Sequence, residues 1–167
     1  MANQKTAVMK ALHSPSIIWE FNLHEWQEWI HNVTLAKVTW LSDINQALNK
    51  AKQTNHRMLA AFVATNCGFC QALETNVFDV AYFAVWANSH NLVLFKHEIP
   101  DYHQPDALCQ QYNVGPQVPG GGFPTVVGLN PDGTDRGLLV GVPAGLSVTA
   151  QGWCGAFENS ANLNQTP

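Results

Sequence analysis

Seven consecutive apolar residues, Met58 to Ala64, constrain the fold of this chain most strongly. A strand that is covered on both faces has such a continuous apolar pattern, whereas a strand with one face in water alternates apolar and polar residues. Cys67 follows three residues later and opens a stretch in which Leu73 and Val77 have helical spacing. The sequence therefore predicts a strand in the middle of a parallel or mixed sheet, with a Cys-x-x-Cys motif between that strand and the next helix.

The rest of the sequence predicts more strands and helices around this centre. Ser42 is the expected N-cap of an amphipathic helix whose apolar positions run from Ile44 to Ala51. The turn at 130–133 joins two strands into an antiparallel hairpin. The further strands expected are 37–40, 92–95, 125–129 and 136–142, and the further helices are 79–90, 105–112, beginning with Pro105, and 146–158. This order predicts an α/β fold, a mixed sheet flanked by helices.

The chain has 167 residues, which suits one domain with a short extension. We expect a Trp-rich N-terminal extension over 1–36, with a short helix in which Leu23, Trp26 and Ile30 share a face, and a main domain over 37–167. The formal net charge is −4 and basic residues are scattered, so we expect no nucleic-acid partner. No apolar run approaches the roughly 20 residues of a membrane span, and the N-terminus lacks an export signal. A cytoplasmic location is expected on that basis, with a mature periplasmic or secreted domain as the alternative.

The spacing of Cys67 and Cys70 suits thiol–disulfide exchange, which needs an attacking thiolate and a second thiol to resolve the mixed disulfide. A cysteine at a helix N-terminus has a lowered pKa, because free N–H groups stabilise the thiolate. We therefore expect Cys67 to attack and Cys70 to be the resolving and more buried residue. Half of a zinc site and an inert buried pair are the alternatives for this motif.

The other cysteines and the histidines give weaker signals. Cys109 and Cys154 are expected to be buried apolar residues, with a structural bond between them as the alternative. The seven histidines show no metal-ligand spacing on one element. We therefore predict neither a metal site nor a cofactor.

Several segments resemble the thioredoxin superfamily in the same order over residues 37–137. They are the strand, active site and helix AAFVATNCGFCQALETNVF (60–78), the second strand VLFKHEI (93–99), the segment YNV (112–114) and the proline strand with its turn, GFPTVVGLNPDG (122–133). The resemblance implies a thioredoxin-like fold and a cis bond between Phe123 and Pro124. It also implies that Phe123 and Pro124 bind substrate opposite the cysteines, together with Gly68 and Phe69.

Three features depart from the reducing thioredoxins that the chain resembles. The buried acid of that group is missing, because its positions are Ala60 and Ala61. Lys96 matches the lysine that accompanies the acid, and Glu98 is the candidate to replace it in a proton relay. Asn66 stands where a Trp commonly precedes the first cysteine, and Phe69 replaces a proline between the cysteines. The missing acid and Phe69 both favour a more oxidising pair than that of a reductase.

The sequence thus predicts a thiol–disulfide oxidoreductase that exchanges disulfides with protein substrates and with an unidentified redox partner. The alternative is a thioredoxin-fold binding or scaffolding module with little turnover, in which the Trp-rich extension contacts a partner.

Overall fold

The computed structural model describes residues 38–143 and 145–163. The N-terminal extension predicted over 1–36, with its short helix, lies outside these residues, so both it and the domain boundary stay predictions. In the part described, no helix combines the length and the apolar character that crossing a membrane requires.

The described residues form one five-stranded mixed sheet, as the sequence predicts. Its order is β1-β3-β2-β4-β5, in which β2 pairs in parallel with β3 and antiparallel with β4. The strands are β1 (Trp40–Leu41), β2 (Met58–Ala64), β3 (Val93–Ile99), β4 (Thr125–Leu129) and β5 (Asp135–Val140). Every residue of β2 is buried, which explains its uninterrupted apolar sequence.

Helices connect and flank these strands. They are α1 (Ile44–Thr54), α2 (Gly68–Leu73), which continues into a π-helical segment (Glu74–Phe78), α3 (Ala81–Ser89), α4 (Ala107–Gln111), a 3-10 turn (Gly145–Ser147) and α5 (Ala150–Ser160). Ala47 and Ala51 of α1 pack in a core cluster with alternate residues of β2, including Ala60 and Phe62. A second group of aromatic rings surrounds Trp153 of α5 and includes Phe78 and Phe83.

Several predicted boundaries differ from the structure; for example, the helix predicted over 146–158 begins at Ala150. Three further differences have a clear local cause. The helix predicted over 79–90 begins only at Ala81, because Val80 has an extended backbone that separates α3 from the π-helical segment. Pro105 lies before α4 rather than in its first turn, since the Asp106 carboxylate caps that helix. The N-cap of α1 is Asp43 instead of Ser42: its side chain accepts a hydrogen bond from the backbone N–H of Gln46 at 2.7 Å.

The cap of α1 gives a direct test of this correction. Replacing Asp43 with Ala should lower the free energy of unfolding by about 1 kcal/mol, the usual cost of a lost N-cap. Ser42→Ala is the matched control and should change it by less than about 0.5 kcal/mol. Urea titrations followed by circular dichroism measure both values, and an equal loss in the two variants would contradict the assignment.

Candidate functional site

The cysteine pair lies where β2 ends and α2 begins. Thr65 fixes the end of the strand, because its backbone N–H and its hydroxyl both donate to the carbonyl oxygen of Ile99, each at 3.0 Å. Cys67 is then the N-cap of α2, and its backbone is extended. Cys67 and Cys70 form a disulfide, with their Cα atoms 5.2 Å apart. The loop and helix start thus bring the two sulfur atoms together.

Two backbone groups contact the sulfur of Cys67. The N–H of Cys70 donates to Cys67 Sγ at 3.1 Å, and the carbonyl oxygen of Phe123 lies 3.4 Å from the same atom. A hydrogen bond to a thiolate favours its charged form, so the Cys70 amide is placed to stabilise a Cys67 thiolate once the disulfide is reduced. The expected difference in burial is not found, since each cysteine is 5% exposed. The loop that carries Phe123 covers Cys67, so Cys67 is buried although it lies at the start of α2.

The Phe123–Pro124 peptide bond is cis, as the resemblance implies. Both residues are buried, and the ring of Phe123 meets that of Tyr102 edge to face at 5.6 Å. Asn66 holds the chain of Tyr102, because its side-chain oxygen accepts the backbone N–H of Tyr102 at 2.9 Å. The residue that replaces the usual Trp therefore links the cysteine loop to the segment that supports Phe123. In the sequence, only the short amide side chain of Asn66 signals that this residue links the two segments.

Gly68 and Phe69 lie at the surface beside the cysteines. A side chain at Gly68 would enter open space, and Phe69 is 49% exposed. Gly145 lies beside the Phe69 ring, since a β-carbon there would be 3.8 Å from Cε1, and the next residue, Leu146, is 64% exposed. The Asn76 side-chain amide donates to the Leu146 carbonyl oxygen at 3.3 Å. Phe69 and Leu146 thus give the site an apolar rim, of which the sequence analysis identified only Phe69.

Lys96 pairs with a carboxylate, but that carboxylate belongs to Glu74. Lys96 Nζ lies 2.6 Å from Glu74 Oε1, and both side chains are partly buried. Lys96 is the register partner of Ala61, where the family's acid is missing, whereas Glu98 is exposed. Glu74 follows Cys70 by four residues, one helical turn, and its N–H donates to the Cys70 carbonyl oxygen. That four-residue spacing is the signal for Glu74 in the sequence, and the positions along the strands do not reveal it.

Cys109 and Cys154 are buried as expected, and no bond joins them. Burial raises the pKa of the Cys109 thiol to about 11, and the nearby negative charge of Asp106 adds to the effect. Burial raises the pKa of Cys154 further, with a contribution from Glu158. Both thiols therefore stay protonated at neutral pH, which separates them chemically from the Cys67–Cys70 pair.

Comparisons with solved structures agree with this architecture. The DsbH oxidoreductase is 21% identical, with a TM-score of 0.59, and the match covers 76% of this chain and 86% of that one. A disulphide isomerase from Xylella fastidiosa Temecula1 is 22% identical, with a TM-score of 0.57 and coverage of 74% and 98%. The oxidised C-terminal domain of DsbD from Neisseria meningitidis is 17% identical, with a TM-score of 0.54 and coverage of 73% and 99%. At these identities the likeness shows the fold.

A family model decides the assignment. No curated protein matches the sequence. The model of the thioredoxin-like domain matches residues 44–145, more than half of the chain and the whole region from α1 to the segment after β5. The chain therefore belongs to the thioredoxin-like family.

Proposed function

We propose that this protein is a thiol–disulfide oxidoreductase that exchanges disulfides with protein substrates through Cys67 and Cys70. The observation that carries the proposal is the disulfide between these two cysteines. The Cys67 sulfur accepts a hydrogen bond from the Cys70 N–H and lies beside the Phe123 carbonyl oxygen. The neighbouring Phe69 and Leu146 offer exposed apolar surface, which suits contact with an unfolded or flexible polypeptide.

The exchange proceeds through two thiolate attacks. In the reducing direction, the Cys67 thiolate attacks a substrate disulfide, and one substrate sulfur leaves as a thiolate. The Cys70 thiolate then attacks Cys67 Sγ, which forms the Cys67–Cys70 disulfide and releases the second substrate sulfur. The oxidising direction reverses these steps and ends with the reduced pair. We assign the attack to Cys67 because the Cys70 amide stabilises its thiolate.

The proton of the resolving thiol needs an acceptor, and we propose Glu74 with Lys96 for this relay in place of Glu98. Glu74 follows Cys70 by four residues and begins the π-helical segment that continues α2, and Lys96 fixes its carboxylate through the 2.6 Å ion pair. Glu98 is exposed on β3, so solvent screens its charge. Glu74→Gln keeps the shape of the side chain but cannot take up a proton.

The relay predicts a difference between two glutamine variants. Glu74→Gln should slow the resolution of a mixed disulfide by about 100-fold, the lower end of what a positioned proton acceptor contributes. Glu98→Gln is the matched control and should resolve at the wild-type rate. Stopped-flow or quenched-flow assays from pH 6 to 9 measure the rates. Equal rates in both variants at every pH would remove Glu74 from the mechanism.

The activity itself is tested with the wild-type chain. We expect it to accelerate both the reduction of insulin by dithiothreitol and the oxidation of a reduced, unfolded protein. Rates equal to those of the reagents alone, in both directions, would contradict the proposal. That result would favour the alternative, a binding or scaffolding module with little turnover.

The direction of electron flow follows from the reduction potential of the pair. Phe69 replaces the proline of the reducing proteins, so we propose a more oxidising pair than theirs. Titration in glutathione buffers should give a potential closer to about −120 mV, typical of a strong oxidant, than to about −270 mV, typical of thioredoxin. A potential of about −270 mV would identify the protein as a reductase.

A further inference from the structure

Three side chains with metal-binding atoms meet outside the cysteine-pair site. His97 on β3 and Asp106 and Cys109 at the start of α4 each offer one ligand atom, and these atoms lie within 4.8 Å of one another. The sequence gives no sign of this group, because the histidines show no metal-ligand spacing on one element. This group forms only when α4 packs against the sheet.

The imidazole of His97 is held by the core around it. Its ring stacks on Phe95 at 6.3 Å, with 10° between the planes, and meets Phe62 edge to face at 5.8 Å. Its Nε2 lies 2.8 Å from Asp106 Oδ2. A fixed ring with one nitrogen directed at a carboxylate is a ligand whose orientation is already set, which lowers the entropy cost of binding.

The two carboxylate oxygens of Asp106 have separate contacts. Oδ1 accepts the backbone N–H groups of Leu108 and Cys109, at 3.0 and 3.1 Å, and so caps α4. Oδ2 is directed at His97. The side chain of Asp106 is 48% exposed and that of His97 is 19% exposed, so water reaches the group from the Asp106 side.

Cys109 completes the set with a soft ligand. Its thiol is fully buried, and as a free thiol it has no use in the exchange reaction. A thiolate and a carboxylate carry two negative charges, which a divalent cation balances while imidazole stays neutral. Thiolate and imidazole together suit Zn²⁺, a tetrahedral ion that is often bound by three protein ligands and one water.

We propose that His97, Asp106 and Cys109 bind one Zn²⁺ ion, with the fourth position open to water. Binding replaces the His97–Asp106 hydrogen bond with metal bonds to His97 Nε2 and Asp106 Oδ2, and the neutral imidazole then carries its proton on Nδ1. A third bond forms to Cys109 Sγ, whose thiol proton goes to solvent. Tetrahedral zinc separates its ligand atoms by about 3.3 to 3.6 Å, so the 2.8 Å contact opens by about half an ångström, and separations of up to 4.8 Å within the group close by about 1 Å. The ion would join α4 to β3 and does not depend on the exchange function proposed above.

Metal binding is tested on the full chain with the Cys67–Cys70 disulfide intact, so that this pair offers no thiolates. We expect one Zn²⁺ per chain after dialysis against micromolar zinc. Co²⁺ used as the probe should show thiolate-to-cobalt charge-transfer absorption. That absorption should disappear in Cys109→Ala and remain in Cys154→Ala, the matched loss of another buried thiol.

Two further variants keep the result independent of folding defects in Cys109→Ala. His97→Phe retains a ring between Phe62 and Phe95, and Asp106→Asn retains a good helix cap. Both should lower the affinity for Co²⁺ at least tenfold while circular dichroism stays unchanged. The proposal is overturned if wild-type protein binds no zinc, if bound cobalt lacks thiolate absorption, or if the Cys109→Ala variant binds metal as the wild type does.

Discussion

A Cys67→Ser variant is expected to lose disulfide exchange by roughly 1,000-fold or more, since loss of a covalent nucleophile costs at least that much in characterised enzymes. The serine hydroxyl is similar in size to the thiol but stays protonated at neutral pH. The Cys70 amide that supports Cys67 Sγ at 3.1 Å would then have no thiolate to stabilise. The measurement is the initial rate of insulin reduction, with the wild type assayed in parallel.

Cys70→Ser should fail in a different way. Cys67 still attacks, but no resolving thiol follows, so a covalent complex with the substrate accumulates and is visible on a non-reducing gel. Cys154→Ala removes a buried thiol elsewhere in the fold and should leave the rate unchanged. Trapping by Cys67→Ser instead of Cys70→Ser would reverse the roles that we assign to the two cysteines.

The largest loss of stability is expected for Trp153→Ala, at about 3–5 kcal/mol of unfolding free energy, the usual cost of truncating a buried aromatic residue. Trp153 is fully buried in α5. Its ring stacks on Phe157 at 5.2 Å and meets Phe78 and Trp86 edge to face, at 5.5 and 6.4 Å. Denaturant unfolding of the disulfide form, followed by circular dichroism, gives the value.

Trp153→Phe is the matched variant and should cost about 2 kcal/mol or less. Among the described residues, the Trp153 indole N–H has no hydrogen-bond partner. An unpaired buried donor costs about 1–3 kcal/mol, so its removal offsets part of the lost packing. Equal losses for Phe and Ala would show that the indole N–H contributes to stability and would contradict this account.

The sheet could be predicted because its central strands have strong local patterns. The continuous apolar run of β2 and the turn between β4 and β5 determined the mixed topology. The starts of helices were harder to predict, because they depend on which of several adjacent polar side chains accepts a hydrogen bond from a backbone N–H. Asp43 rather than Ser42 caps α1, and Asp106 caps α4, so that Pro105 lies before that helix.

The residues of the site could be predicted where they are close in sequence or belong to a motif of the family. Cys67, Cys70 and the Phe123–Pro124 segment come together as expected. The partner of Lys96 was not predictable from strand positions, because Glu74 reaches it from the π-helical segment. Equal burial of the two cysteines also needed the fold, since the loop before β4 covers Cys67.

The π-helical segment Glu74–Phe78 sets the rotational phase between the active-site turn and the core. An α-helix advances about 100° per residue, so one extra residue in a regular helix would turn every later side chain by that angle. A π-helical turn holds one residue more than an α-helical turn and therefore absorbs the extra residue. Val77 and Phe78, within this segment, are buried together with Cys70 and Leu73 of α2. The widened turn thus lets the active-site helix carry one more residue while both of its ends keep their buried faces.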